Sequence, residues 1–231
     1  MTAVFVEDGP DKGAIWHFGE PNKEQRALLE GTAWADLSHL AVVAVTGEDR
    51  LKWLHDLTTQ HLLDFGVGSW TSALILDPQG HVEYQFSLVD DGATTFIVLD
   101  PHFAQGLIEY LKKMRFMLKV DVSDASGEYA VLRAPGAANE VGGPFALVPR
   151  AELDEMKKVF GASAMQVGTW ALDAERVAAG RPRHGFDTDA KSIPNELGVI
   201  HGSVHMDHPL HWRRPVHATP HTHLMHHLHL L

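Results

Sequence analysis

Between residues 42 and 126 the apolar positions switch between a spacing of two and a spacing of three to four, and each switch predicts a change of element. VVAVTG (42–47) is a β-branched run and reads as a strand. The following EDRLKWLHDLTT puts Leu51, Leu54 and Thr58 on one helical face, with acidic residues in the first turn. SALILDP and HVEYQFSLVDD meet at Asp77-Pro78-Gln79-Gly80, a tight-turn sequence, and predict a hairpin. TTFIVLD adds a strand. Asp100 is placed to cap a helix with Pro101 at its first position, and Phe103, Leu107, Tyr110, Leu111 and Met114 recur at helical spacing. Lys112, Lys113 and Arg115 fall at its C-terminal end, where the helix dipole favours cations. LKVDVSDAS closes the unit as a strand.

A second, shorter pass follows. EYAVLRAP and PFALVPR read as strands around the loop PGAANEVGGP, AELDEMKKVFG as a helix with Leu153, Met156 and Phe160 inward, ASAMQVGTW as a strand, and LDAERVAAG as a helix ended by Gly180. Strand, helix, several strands, helix and strand is the order of a split βαβ, ferredoxin-like unit, so the predicted class is α+β. The first 29 residues read as a polar, Gly/Pro-containing lead.

With 231 residues and 45% hydrophobic content, the chain is long enough for one large core or two small ones. It has no apolar run of membrane-spanning length, and its first residues lack the pattern of a secretory signal, so the expectation is a cytoplasmic protein without membrane partners. The absence of cysteine excludes disulfides, thiolate nucleophiles and cysteine-ligated clusters on this polypeptide. The formal charge of −11 argues against general nucleic-acid binding. It is unevenly placed: all 30 acidic residues lie at or before Asp207, and the last 24 residues carry only Arg213 and Arg214.

Four blocks, ADLSHLAVVAVTGEDRLKWLHDLTTQHL (35–62), LDPQGHVEYQFSLV (76–89), YLKKMRFMLKVDVSDAS (110–126) and RVAAGRPRHGFDTDAKSIPNELG (176–198), resemble the tetrahydrofolate-binding domain of the aminomethyltransferase superfamily. That superfamily includes the glycine-cleavage T-protein and the YgfZ-type folate-binding proteins associated with iron–sulfur metabolism. The resemblance implies two ferredoxin-like halves around a central folate site, about 30–126 and 127–206, after a lead of residues 1–29 and before a small β-barrel. Details favour the YgfZ-like branch. Where T-protein-like sequences carry paired aspartates that work at the folate amine, this chain has Glu83 and Tyr84. Where they carry a pterin-contacting glutamate, it has Ala178, followed by Ala179-Gly180-Arg181-Pro182-Arg183. The Lys-Gly-Cys-Tyr signature of YgfZ-like members should follow Met206-Asp207, but His208-Pro209-Leu210-His211-Trp212 stands there without cysteine, so the expectation is that the C-terminal barrel is missing.

The resemblance implies tetrahydrofolate as ligand, with Glu83, Tyr84, Arg133, Arg176 and Arg183 as binding residues and Glu83 as the catalytic candidate. Guanidinium forks match carboxylates, which makes Arg133, Arg176, Arg181 and Arg183 candidates for the folate tail. Asp187, Asp189 and Glu196 lack calcium-loop spacing and read as a solvated loop, and His81 and His184 read as ordinary polar contacts. Residues 207–231 form a separate, His-rich tail in which His221, His223, His226, His227 and His229 offer imidazoles to zinc, nickel or copper. A shifted reading frame and an unstructured tail account for the same composition. The functional expectation is a tetrahydrofolate binder of the YgfZ-like type, supporting iron–sulfur cluster assembly or maintenance together with assembly proteins. The alternatives are a folate-dependent aminomethyltransferase and a truncated remnant.

Overall fold

The computed structural model describes residues 2–139, 141–198, 203 and 204. The five histidines of the tail lie outside them. Two sheets form the frame. The larger has five antiparallel strands in the order β5 (Trp70–Leu76), β6 (Val82–Asp90), β7 (Thr94–Leu99), β4 (Ala41–Thr46) and β8 (Asp121–Asp124). One face is covered by α2 (Arg50–Leu57) and α3 (Pro101–Met114), which bury Trp53, Leu54, Leu107, Ile108 and Leu111 against Val43, Val45, Ile75, Phe86 and Ile97. The expected cap is present: the Asp100 side chain accepts from the His102 backbone N–H, with Pro101 at the first helical position. The first turn of α2 carries no acid, because the helix starts at Arg50; Asp49, one residue earlier, accepts instead from the Lys119 N–H.

The second sheet has the order β10 (Phe145–Pro149), β9 (Tyr129–Arg133), β3 (Ala33–Asp36) and β11 (Met165–Val167), with β11 parallel to β3. Helix α4 (Leu153–Gly161) covers one face through Leu153, Met156 and Phe160. The opposite face meets α1 (Pro21–Leu29) and α5 (Thr169–Ala178) through Leu28, Val167 and Ala171, and faces the larger sheet through Val131, Phe145 and Leu147.

This pairing corrects the expected division near residue 126. Strand β3 lies early in the chain yet hydrogen-bonds with β9 and β11, so the second sheet takes its inner strand from the N-terminal side of the first. Ala33, Trp34 and Ala35 are all buried, and a strand buried on both faces needs partners on both edges. The lead is likewise part of the body. It holds β1 (Val4–Phe5), β2 (Ile15–His17) and α1, whose Leu28 is fully buried. At nine residues, with a short apolar stretch at its end, α1 is too brief to show a period. The predicted strand through Trp170 is shorter too, since α5 begins at Thr169. Among the described residues no helix is long and apolar enough to cross a membrane.

Candidate functional site

Between the face of the larger sheet that carries no helix and the α5 side of the smaller one lies a cavity of about 580 Å³. That is within the range of small-molecule sites. Leu37, Val98, Val131, Phe145 and Leu172 supply apolar wall, and Ser72, Gln85 and Ser87 add a polar strip from β5 and β6. Asp173, Glu175 and Arg176 enter from α5, and Arg181, Arg183 and His184 from the turn beyond it. Alternation along paired strands selects the polar strip: Ser72 stands opposite Ser87 and Leu74 opposite Gln85, while Ala73 and Phe86 turn to the helices.

Glu83 and Tyr84 are not in this wall. The register shifts between Ile75, paired with Tyr84, and Leu76, paired with Val82, so Glu83 is the extra residue of a bulge and is exposed. Val82 and Tyr84, two apart, therefore join different clusters: Val82 packs with Leu74 and Val204, Tyr84 with the α3 side near Tyr110. Plain alternation would put Val82 and Tyr84 on one face; the bulge separates them. The β6 side chains in the cavity are those two and four positions beyond Glu83, Gln85 and Ser87.

The arginines separate into distinct tasks. Arg133 is fully buried, donates to the carbonyls of Ala134 (2.5 Å) and Gly136 (3.0 Å), and holds the loop between β9 and β10 rather than lining the cavity. Gly143, at φ +156°, passes so close that a Cβ there would fall 1.9 Å from the Arg133 Nε. Arg176 lines the cavity but is held by Asp173 (2.7 Å) and Asp187 (2.5 Å), with its guanidinium 5.7 Å from the centre of the Phe186 ring. Arg183 is clasped bidentately by Asp11 (2.7 and 2.8 Å) and again by Asp100 (2.7 Å). His39 adds a contact to Asp11 at 2.9 Å. Burial works to raise the Asp11 carboxyl, but hydrogen bonds from His39 and Arg183 outweigh it and hold the group well below the usual carboxylate range. Arg183 is desolvated as well, yet Asp11 and Asp100 raise it above the ordinary arginine value. This ion network joins the lead, the start of α3 and the turn after α5 at the cavity edge.

Arg181 and Glu175 are less fully used. Arg181 reaches Glu175 and the Asn139 carbonyl only at 3.4 Å each, and its buried Nε has no hydrogen-bond partner. Glu175 is buried, with its oxygens 3.4 Å from Arg181 and 3.7 Å from Arg133. Ala178, one turn further along α5, is exposed and outside the wall. Burial lowers the His184 imidazole below its usual range, although a hydrogen bond to the Glu83 backbone opposes this. His184 stacks near Phe103, and its backbone N–H donates to Gln85 Oε1 at 3.0 Å. Asp187 and Asp189 organise their own loop, accepting from Arg183 N–H and from Lys191 N–H. His81 pairs with Asp77 at 2.8 Å. Among the described residues, no group of three or more His, Asp or Glu side chains is placed to hold a metal ion.

Asp11, Gln85, Asp100 and Glu175 had no motif to mark them. Only the fold brings these side chains, distant in sequence, to one cavity. The apolar walls of Leu37, Val98 and Leu172, with a few polar groups converging on them, have the chemistry that a flat heterocycle such as a pterin requires.

Fold and cavity define an α+β domain with a cavity of small-molecule size. Residues 3–141 match the family described as GCVT N-terminal domain, and the chain belongs to that family. It is 23% identical over 140 residues to an Arabidopsis thaliana protein whose name describes it provisionally as a chloroplastic transferase. The match takes in 59% of this chain and 32% of that one. In fold it is similar to the glycine cleavage system aminomethyltransferase T from Bartonella henselae, with a TM-score of 0.70 and 16% identity over 83% of this chain and 63% of the other. The chain thus spans about a third of the plant relative and under two thirds of the bacterial structure.

Proposed function

We propose that the chain binds a reduced folate in the cavity between its sheets and acts as a carrier or sensor of that ligand rather than as an aminomethyl transferase. The observation that carries this reading is the cavity itself, about 580 Å³, with most of its sheet wall drawn from the family-matched residues 3–141. Tetrahydrofolate supplies a one-carbon attachment point when bound. Gln85, the longest β6 side chain in the wall, is an amide and neither takes nor gives a proton near neutral pH. Glu83, the carboxylate nearest to it on the strand, is turned out of the cavity by the bulge. On this reading the two sheets correspond to the ferredoxin-like halves of the superfamily. The similarity of Ala178 to Arg183 to YgfZ-like sequences supports a role in maintaining iron–sulfur enzymes.

Calorimetric titration with 5-formyltetrahydrofolate tests the reading. Saturable binding is expected, with thermal stabilisation of about 2.7 kcal/mol at a hundred times the dissociation constant. Absence of both heat and thermal shift at millimolar ligand rejects it. A separate assay with an aminomethyl donor is expected to give no product above the uncatalysed rate. Turnover that disappears in Gln85→Ala would instead favour a folate-dependent transferase.

A further inference from the structure

We propose that the turn after α3 is a membrane-binding tip: Phe116, Met117 and Leu118 enter the headgroup region of an anionic bilayer, while Lys112, Lys113, Arg115 and Lys119 meet its phosphates. The proposal is independent of the cavity and of the folate reading. Three consecutive apolar side chains stand in solvent here, Phe116 81% exposed, Met117 98% and Leu118 40%. Among the described residues no other run of three large apolar side chains is exposed. Phe116 is also the only described residue other than glycine with a left-handed backbone, at φ +47°, a conformation that a bulky side chain rarely adopts. The fold holds it there. The Lys119 N–H donates to the Asp49 carboxylate at 2.8 Å, the Leu118 N–H to the Arg115 carbonyl at 3.1 Å, and the Trp53 indole N–H to the Met114 carbonyl at 3.2 Å. Gly47 passes so close beneath the turn that a Cβ would fall 2.0 Å from the Lys119 carbonyl oxygen. A pinned, strained turn that displays its apolar residues points to a contact outside the chain.

The cations select the occupant. Residues 110–120 hold Lys112, Lys113, Arg115 and Lys119 and no acid, in a chain whose net charge is −11. Arg115 and Lys119 pair with Asp121 and Glu48, whereas Lys112 and Lys113 form no ion pair among the described residues. Both of those pairs are exposed, and exposed pairs are weak enough to yield to a phosphate. The dipole of α3 accounts for cations at its C-terminal end but not for the apolar residues among them. With Met117 almost wholly exposed the turn is convex, so it enters a partner rather than receiving one. Lysine is depleted at the centre of protein interfaces and favoured beside anionic headgroups, which makes a bilayer the matching surface. Acids elsewhere on the body are screened beyond about 10 Å at 0.1 M salt, so the turn can approach alone. Such attachment is peripheral and needs no spanning segment.

The test is sedimentation of the full chain with vesicles of phosphatidylcholine alone and of phosphatidylcholine mixed with phosphatidylglycerol, at about pH 8, where the tail's imidazoles are neutral. Wild type is expected to bind the mixed vesicles and to bind the neutral ones much more weakly. Replacing Lys112 and Lys113 with glutamine should weaken binding by about fivefold for each lysine. Phe116→Ser with Met117→Ser should weaken it by about tenfold or more. Phe116→Gly separates display from folding: glycine adopts the left-handed backbone without strain, so this variant should melt no lower than wild type and still bind lipid less well. No binding to mixed vesicles at millimolar lipid overturns the proposal, and so does equal binding to both vesicle types. Full-strength binding by the Phe116→Ser, Met117→Ser chain overturns it as well, by placing the contact elsewhere on the protein. A chain that ignores vesicles but forms a dimer lost in Met117→Ser overturns the lipid surface and assigns the tip to contact between copies.

Discussion

The Arg183→Met chain is expected to melt about 6–20 °C below wild type. Removing the guanidinium leaves the buried Asp11 and the half-buried Asp100 beside each other without their shared counter-charge, and breaking a buried pair from one side costs about 3–5 kcal/mol. A chain of this size loses roughly 2–4 °C for each of those kcal/mol. Asp11→Asn in the same background should recover part of the loss, since it removes one uncompensated charge, and the two effects will not add. Thermal denaturation of the single and double variants is the measurement. A shift under 2 °C for Arg183→Met would mean that the network carries no net stability and that Arg183 is available for a ligand after all.

The second large effect is expected at Glu24, on α1. Its side chain is wholly buried and accepts from the Phe18 N–H at 2.7 Å and the Gly168 N–H at 3.0 Å, tying the lead to the start of α5. Gly168 has room for no side chain there, because a Cβ would stand 2.0 Å from the Trp16 carbonyl oxygen. Trp16 and Trp170 close the contact with ring centres 5.0 Å apart. Glu24→Ala strands two N–H groups and opens a void, a loss of about 3 kcal/mol or more. Glu24→Gln keeps one acceptor and should lose about half as much. Chemical denaturation of both variants decides the matter. Equal stability for Ala and wild type would show that water takes over both donors at no cost.

These two residues mark the limit of what the sequence reveals. Local rules were enough for the Asp100 cap, the hairpin turn at 77–80 and the apolar faces of α2 and α3, because capping, turn chemistry and periodicity depend on neighbours within a few positions. The four blocks pointed to the aminomethyltransferase superfamily, and the family match over residues 3–141 agrees with it. The lead was misjudged for the converse reason. Glu24 and Asp11 look like ordinary surface acids until Gly168 and Arg183, 144 and 172 residues away, are folded against them.

At the cavity the deciding event is a single inserted residue. The alternation of HVEYQFSLV predicts a strand, and it is one, but a bulge at Glu83 changes which residues face inward and places Gln85 where a carboxylate was expected. Composition and pattern by themselves determined an α+β, cysteine-free, acidic chain, and only the resemblance of four blocks pointed to its family. Tertiary structure alone decided which arginines are already neutralised, which carboxylate remains underbonded, and which face of β6 lines the cavity. The reason is physical: periodicity reports burial along one element, whereas charge pairing and strand register are properties of two elements at once.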